Sequence, residues 1–357
     1  MRITDRLLSW VRGARASLLR GQPRGDSDGS VASVGAPVER RHRDDSGLPG
    51  VQGAVGVEAG SSVGRIIDGT FANGAGTRRY RVYVPGGQEA EARSLVVMLH
   101  GCKQGPEDFA AGTGMNAAAD AYGCIVVYPA QATVANRYRC WTWFRSAHQM
   151  RDRGEPSLIA GITREVVAAY GVDRRRVYVA GLSAGAAMAV ILGETYPDLY
   201  AAIGAHSGLP YASARDVLSA FSAMRRGAAP PKSGAATRTR NEASGPCAVP
   251  TIVFHGDSDA EVHPRNADLM TSMWLARQAA MGAPLRAITR DGRMLAGRTY
   301  TVDAYEDHDG RSIYERWTIH GAGHAWSGGS ASGSYTDPLG PDATREMLRF
   351  FRQHTAA

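Results

Sequence analysis

The chain has 357 residues, of which 43% are hydrophobic and 21% are charged, so it can bury a sizeable core. Its four Cys exclude a small scaffold built from disulfides, and no uncharged apolar run reaches the roughly 18 residues of a membrane span. The net charge of +7 is concentrated in residues 1–24, with net +5, and in residues 225–249, with net +4. The remainder carries −2, so we expect no basic face of the kind that binds nucleic acid.

Two segments lack the pattern of a folded domain. Residues 1–61 are rich in Gly, Ser, Asp and Arg and predict a disordered basic tail. Within this tail the apolar run Leu7–Val11 is too short for an export signal, and it fits either a frayed basic helix or a helix that contacts a membrane surface or a partner. Residues 226–248 predict a flexible surface insertion. We therefore expect one folded domain over residues 62–357 that contains this insertion.

In chain order, the folded part begins with residues 65–71 and 77–85, which predict a β-hairpin. Short apolar runs that end in turns predict buried strands at 95–99, 124–128, 176–180, 201–205, 251–254 and 314–319. Helical patterns alternate with these strands at 113–122, 157–170, 184–196, 212–224, 264–281 and 342–354. The alternation predicts an α/β fold with a mostly parallel, doubly wound sheet.

A Gly-x-Ser-x-Gly pattern occurs twice in the chain. Ser27 lies in the polar tail, with no strand before it and no helix after it, and we treat that match as chance. Ser183, in Gly181-Leu-Ser-Ala-Gly185, follows an apolar strand and precedes a helix, which is the context of a nucleophile elbow. The helix N-terminus also favours negative charge beside the hydroxyl. We predict that Ser183 is a nucleophile; an ordinary glycine-rich turn is the alternative.

A serine nucleophile needs a base and an acid that orients the base, and in this fold both follow later strands in the order Ser, acid, His. The turn after the strand at 251–254 offers Asp257 and Asp259, of which we favour Asp259 because it lies farther round the turn. The glycine-rich loop after the last strand offers His320 and His324. We favour His324 as the base, because His320 is nearer the strand body and is expected to pack there.

An oxyanion at this site would need two preorganised N–H groups. We expect one from Ala184, directly after the nucleophile, and the other from Cys102, in the loop after the strand at 95–99. His100, His206 and His255 end strands, so each is expected to be structural or to form a pocket wall. No Cys-x-x-Cys motif or cluster of His and Asp predicts a metal site.

Six motifs occur in one order along the chain: His100-Gly-Cys-Lys-Gln, Cys140-Trp-Thr-Trp-Phe144, Arg151-Asp-Arg-Gly-Glu-Pro156, Gly181-Leu-Ser-Ala-Gly185, His255-Gly-Asp-Ser-Asp259 and Gly323-His-Ala-Trp-Ser-Gly-Gly329. With this set the chain resembles the polyhydroxybutyrate depolymerase family of esterases over roughly residues 64–355. The resemblance implies an α/β-hydrolase fold, no cofactor, and hydrolysis of short 3-hydroxyalkanoate esters through Ser183, Asp259 and His324. A feruloyl or acetylxylan esterase is the alternative, because related esterases need the same three residues. Thr142 stands where the tryptophan motif is expected to have Asn.

The resemblance also directs attention to aromatic residues in these motifs. Trp141, Trp143 and Phe144 are expected either to wall the acyl pocket or to form a core cluster that holds their loop. Trp326, close to His324 in the sequence, is predicted to bind substrate together with the other two Trp.

Two cysteines lie in the same family motifs. Cys102 and Cys140 can form a disulfide, which requires an oxidising compartment, whereas Cys124 is predicted to be a buried thiol. Polymer-degrading relatives carry a further substrate-binding domain and an export signal. This chain ends directly after its last helix and has no visible signal, so we expect it to act on soluble esters or oligoesters. The resemblance favours an extracellular protein, and a cytoplasmic one is the alternative.

Other classes of function are compatible with parts of this pattern. A serine peptidase of related fold would use the same catalytic groups, but we find no propeller or similar gating domain. A binding module with an α/β-hydrolase fold would be expected to lack one of the three groups, and all three are present. The expected partner is a small ester or oligoester, and the sequence leaves the oligomeric state open.

Overall fold

A ten-stranded sheet organises the part of the chain that the computed structural model describes, which is residues 64–86, 93–229, 248–282 and 284–356. The predicted tail over residues 1–61 lies outside the described residues, and so does most of the predicted insertion at 226–248. The strand order is β1-β2-β4-β3-β5-β6-β7-β10-β9-β8, and a separate two-stranded sheet pairs β11 with β12.

The strands are β1 Arg65–Asn73, β2 Gly76–Val84, β3 Arg93–Leu99, β4 Ile125–Pro129, β5 Val172–Leu182, β6 Ala202–His206, β7 Thr251–Gly256, β8 Arg286–Arg293, β9 Thr299–Glu306, β10 Ser312–Ile319, β11 Trp326–Ser327 and β12 Thr336–Asp337. The six central strands, from β4 to β10 in spatial order, are parallel to one another. Antiparallel pairs flank them on both sides. The structure therefore confirms the predicted mostly parallel sheet.

The helices are α1 Pro106–Thr113, α2 Met115–Tyr122, α3 Gly154–Ala169, α4 Ala184–Thr195, α5 Val217–Arg226, α6 Arg265–Ala280 and α7 Ala343–Phe351, with a short 3-10 helix at Ser146–Gln149. Alternate residues of β3 point to opposite faces of the sheet: Leu95 packs in the core formed with α3 and α4, and Val96 in the core formed with α1, α2 and α7. No helix among the described residues has both the length and the apolar character needed to cross a membrane.

Two features of the fold differ from the sequence prediction. The helix expected at 113–122 is α2, and a further helix that the sequence did not predict, α1, precedes it; the two meet at Gly114, which has a left-handed conformation with φ 64°. The segment between α6 and β10 was left unassigned, and it contains the hairpin β8–β9, which extends the sheet by two antiparallel strands. The exposed β8 carries charged residues rather than an apolar run, so its sequence lacks the signal of a buried strand.

The parallel strands bring the predicted functional residues to one edge of the sheet. Ser183 follows β5, Cys102 follows β3, Asp259 follows β7 and His324 follows β10, so all four come after the carboxyl ends of parallel strands. Ligands of open α/β sheets bind at this edge. The topology thus defines where a functional site can be assembled.

Candidate active site

Ser183 occupies a tight turn between β5 and α4. Its backbone has φ 58° and ψ −118°, a conformation that is strained for a residue with a side chain. A Cβ added at Gly185 would lie 2.0 Å from the Leu99 carbonyl oxygen, and one at Gly181 would lie 2.7 Å from the same oxygen. Both glycines are therefore needed for the helix to pack against the end of β3, as the elbow pattern predicts.

His206 connects this turn to the loop that contains His324. Its carbonyl oxygen accepts a hydrogen bond from the Ser183 N–H at 2.9 Å, and its Nε2 accepts one from the Ser327 N–H at 3.0 Å. Burial lowers the pKa of His206 to about 3, so the ring stays neutral and keeps this acceptor. The residue is structural, as expected for a histidine that ends a buried strand.

Asp259 and His324 form a hydrogen-bonded pair, with 2.7 Å between Oδ2 and Nδ1. The other carboxylate oxygen, Oδ1, accepts hydrogen bonds from the N–H groups of Glu261 and Val262, each at 2.9 Å. Burial raises the pKa of Asp259, but its bonds with His255 and His324 outweigh this effect and hold the pKa well below the ordinary value. Asp259 is therefore a carboxylate, and its orientation is determined by bonds on both oxygens.

The alternative acid, Asp257, is paired with the alternative base. Its Oδ2 lies 2.9 Å from Nδ1 of His320, and its Oδ1 accepts the Gly321 N–H at 2.8 Å. The expectation that His320 packs against the strand body is wrong, because 42% of its side chain is exposed. The two Asp–His pairs thus lie along the same two loops, and only Asp259 is bonded to His324.

Within the described residues, no hydrogen bond joins the Ser183 hydroxyl to His324.

The loop after β3 lies against the nucleophile turn. A Cβ added at Gly101 would lie 3.7 Å from Cβ of Ser183. The loop is held by its neighbours, since the Gly101 N–H donates to Oε1 of the buried Gln104 at 2.9 Å. Among the described residues, the N–H groups of Cys102 and Ala184 have no protein acceptor. Both groups are therefore available to a ligand atom beside Ser183.

A small apolar pocket opens at Ser183, with about 290 Å³ of space that includes a part open to solvent. It is lined by Cys102, Cys140, Trp141, Trp143, Phe144, Ser183, Ala184, Leu209, Met224 and Val262. Trp141 is held by a hydrogen bond from its Nε1 to the His100 carbonyl at 3.1 Å. The lining of this pocket is mostly apolar.

A disulfide joins Cys102 to Cys140 across this pocket. It links the loop after β3 to the loop that contains Trp141 and Trp143. Cys124 is a free, buried thiol. The structure thus contains the disulfide that the family motifs allow.

Trp326 lies elsewhere, and this corrects its predicted role in substrate binding. Its ring is buried between His206, with which it stacks at 5.2 Å between ring centroids, and Phe109. Its Nε1 donates to the Thr344 hydroxyl at 3.0 Å. Closeness to His324 in the sequence suggested a pocket residue, but β11 directs this side chain into the core, so we do not assign it to the substrate site.

A buried carboxylate that the sequence prediction missed supports the pocket wall. Oε2 of Glu155 accepts the Thr142 N–H at 2.7 Å, and the Thr142 hydroxyl is 2.6 Å from Nδ1 of His148. Burial opposes ionisation of Glu155, but bonds from His148, with help from Arg78 and Gln131, lower its pKa to about 2. This ionised group fixes the loop between the two tryptophans. The only sequence signal was the Glu in the Arg151–Pro156 motif, which does not indicate the groups that Glu155 contacts.

The β8–β9 hairpin contacts the same region through Arg298, which lies just before β9. Nη1 of Arg298 donates to the Gly321 carbonyl at 2.7 Å, and its Nε is paired with Asp337. One side chain therefore supports both the loop that contains His324 and the strand β12. Among the described residues, no group of three or more His, Cys, Asp or Glu is arranged to hold a metal ion.

Comparison with known proteins identifies the class of fold. An acetyl xylan esterase from Aspergillus awamori superposes with a TM-score of 0.61 over 77% of this chain and 94% of its own, at 19% sequence identity. The sheet order, the strand–turn–helix at Ser183 and this similarity define an α/β-hydrolase fold, as predicted.

The family follows from the sequence. The model of the esterase PHB depolymerase family matches residues 78–293, and the chain belongs to this family. Poly(3-hydroxyalkanoate) depolymerase C of Paucimonas lemoignei is 32% identical over 256 residues, which are 71% of this chain and 60% of that protein. Feruloyl esterase B of Talaromyces funiculosus is 33% identical over 143 residues, which are 40% of this chain and 39% of that protein. The chain thus spans less than two thirds of the length of either relative.

Proposed function

We propose that this protein is a serine carboxylester hydrolase in which Ser183, His324 and Asp259 form a catalytic triad. The observation that carries the proposal is the pairing of His324 with a buried, ionised Asp259, on a loop that His206 connects to the strained turn of Ser183. A second Asp–His pair is present nearby, but among the described residues no such connection joins it to Ser183. Membership of an esterase family supports the same reaction class.

In the proposed mechanism, the Ser183 hydroxyl attacks the ester carbonyl while His324 accepts its proton. The C–O bond to serine forms, and the negative charge moves to the former carbonyl oxygen. The free N–H groups of Cys102 and Ala184 would donate hydrogen bonds to this oxyanion. The intermediate then collapses, the bond to the alcohol breaks, and His324 returns the proton to the departing alcohol. Water hydrolyses the acyl-enzyme by the same steps in reverse order.

Asp259 has two tasks in this scheme. Its bond to Nδ1 of His324 keeps the proton on that nitrogen, so that Nε2 can accept the proton of Ser183. Its negative charge stabilises the imidazolium that forms in the transition state. The bonds from Glu261 and Val262 to its other oxygen preorganise this arrangement, because they prevent the carboxylate from rotating.

We propose short 3-hydroxyalkanoate esters and soluble oligoesters as the substrates. The small apolar pocket beside Ser183 suits a short acyl chain, and the longer matched segment is the one shared with the depolymerase of Paucimonas lemoignei. The shorter match to a feruloyl esterase favours a carbohydrate esterase as the second candidate. Assays with hydroxybutyrate oligomers, methyl ferulate and acetylated xylan distinguish the two, since a clear preference for the ferulate or xylan would overturn the first.

Replacement of Ser183 by Ala tests the reaction class. We expect ester turnover to fall by several powers of ten and labelling by a fluorophosphonate to disappear, because the covalent intermediate cannot form. The matched control is Ser27→Ala, which alters the other Gly-x-Ser-x-Gly sequence and should change neither. A wild-type protein that takes no label would instead indicate a binding module, and an active Ser183→Ala variant would refute the elbow assignment.

A further inference from the structure

Tyr335 is a large aromatic residue at the surface beside His324. Its ring meets the imidazole edge-to-face, with 6.4 Å between ring centroids and 81° between ring planes. The residue is 40% exposed, so a part of the ring is accessible to a ligand. No motif in the sequence pointed to this residue, since it lies in a Ser- and Gly-rich segment beyond the His324 loop.

The backbone around Tyr335 is held in a specific conformation. Its φ is 55°, in the left-handed region, which disfavours bulky residues. The preceding residue, Ser334, donates its N–H to Asp108 at 2.8 Å, and its carbonyl accepts from Nε2 of Gln104 at 3.0 Å. The Tyr335 carbonyl accepts the Trp326 N–H at 2.7 Å. The ring is therefore presented to solvent from a fixed, strained position, and such strain is commonly kept at functional sites.

Tyr335 is not part of the apolar pocket at Ser183. Among the described residues, the lining of that pocket includes Ser183 but neither His324 nor Tyr335. In the proposed mechanism, His324 gives its proton to the alcohol as the ester bond breaks, so the alcohol must lie beside His324 at that moment. A ring that contacts the imidazole of His324 is thus near the alcohol half of the ester.

We propose that Tyr335 binds the alcohol portion of the ester and sets a preference for alcohols with an apolar or aromatic body. This inference rests on the proposed esterase function. A ring that contacts only the alcohol matters for acylation, in which the alcohol is still bound. It does not matter for deacylation, because the alcohol has then left the site and only water attacks the acyl-enzyme.

The test compares esters of one acyl group with alcohols of increasing size. Methyl, butyl and benzyl 3-hydroxybutyrate have leaving alcohols of similar acidity, so differences in kcat/KM report contacts with the alcohol. In Tyr335→Asn the ring is removed, while Asn tolerates the left-handed conformation. Tyr335→Phe keeps the ring and removes only the hydroxyl. Leu295→Ala, which alters a fully exposed apolar residue in the β8–β9 turn, is the control.

For Tyr335→Asn we expect kcat/KM to fall about 3- to 10-fold for the butyl and benzyl esters, which is the range of one aromatic contact, and to change little for the methyl ester. Tyr335→Phe and Leu295→Ala should resemble wild type with all three esters. The steady-state rate after the acylation burst of an activated ester, which reports deacylation, should be the same for Tyr335→Asn and wild type.

Three results would overturn the inference. An equal loss for all three esters together with slower deacylation would mean that Tyr335 only positions His324. No loss for any ester, or the same loss in Leu295→Ala, would mean that the ring contacts no part of the substrate. If wild type itself hydrolyses none of the esters tested and takes no fluorophosphonate label, the proposed function fails instead, and that outcome is distinct because it appears before any variant is compared.

Discussion

Replacement of Asp259 by Asn separates its role from that of Asp257. In the structure, Oδ1 of Asp259 accepts two main-chain N–H groups, from Glu261 and Val262. The oxygen of the Asn amide must keep this position, because the NH2 group cannot accept these bonds. The NH2 group then faces Nδ1 of His324, which must become an acceptor and move its proton to Nε2. That tautomer cannot take the proton of Ser183.

We therefore expect Asp259→Asn to lower kcat by on the order of 10³–10⁴ while the protein stays folded. The matched change, Asp257→Asn, alters a half-exposed pair with His320, and exposed pairs of this kind contribute little. It should lower kcat less than about tenfold. Both variants are assayed with one soluble ester at one pH, and circular dichroism checks the fold.

The reasoning would be refuted if the two variants changed places, with Asp257→Asn inactive and Asp259→Asn nearly normal. The acid would then be Asp257, although the reaction class would be unaffected. A severe loss in both variants with intact circular dichroism would mean that the two Asp–His pairs act as one unit, against the separate roles derived from their bonds.

Three further expectations concern stability and domain boundaries. The pKa of Glu155 falls from 4.5 to about 2 in the folded protein, so the stability that it contributes is present above pH 4.5 and is lost as pH drops toward 2. This loss amounts to about 3 kcal/mol of the free energy of unfolding. The free energy of unfolding, measured with urea across this pH range, should depend less on pH in Glu155→Gln than in the wild type. An equal pH dependence in the two proteins would contradict the role given to Glu155. Reduction of the Cys102–Cys140 disulfide should lower the free energy of unfolding by about 2–4 kcal/mol. It should also lower kcat/KM, because the loop that holds the Cys102 N–H, a proposed oxyanion donor, is then no longer joined to the loop of Cys140. Melting and ester assays with and without dithiothreitol, in a Cys124→Ala background that removes the buried thiol, test this, and no change in either would contradict it. Removal of residues 1–60 should leave a folded, active domain, and an insoluble or inactive product would show that the proposed boundary near residue 62 is wrong.

The central strands could be predicted from the sequence because each is a short apolar run that ends in a turn. Residues 95–99 of β3 and 177–180 of β5, for example, are buried, and all of them are apolar. The hairpin β8–β9 could not be found in this way. Its outer strand is largely exposed at the edge of the sheet, and its pairing depends on main-chain hydrogen bonds to β9 rather than on a pattern of side chains.

The proposed triad could be predicted because its residues follow three strands of a known topology. Local sequence was a poor guide where a long side chain can point either way, as with Trp326, which lies two residues from His324 and is nevertheless buried in the core. Glu155 and Tyr335 were missed because sequence does not show which groups they contact. Glu155 lies in the Arg151–Pro156 motif, but the motif does not indicate its bond to the Thr142 N–H. Tyr335 lies in none of the six motifs, and its contact with His324 forms only in the folded protein.

Arg298 gives the active-site region a connection to the outer edge of the sheet. Because this one guanidinium contacts both Gly321 and Asp337, replacement of Arg298 would release both the loop that leads to His324 and the segment that follows Tyr335. For protein engineering, Arg298 is therefore a residue to keep when the β8–β9 hairpin is used as a site of insertion or fusion.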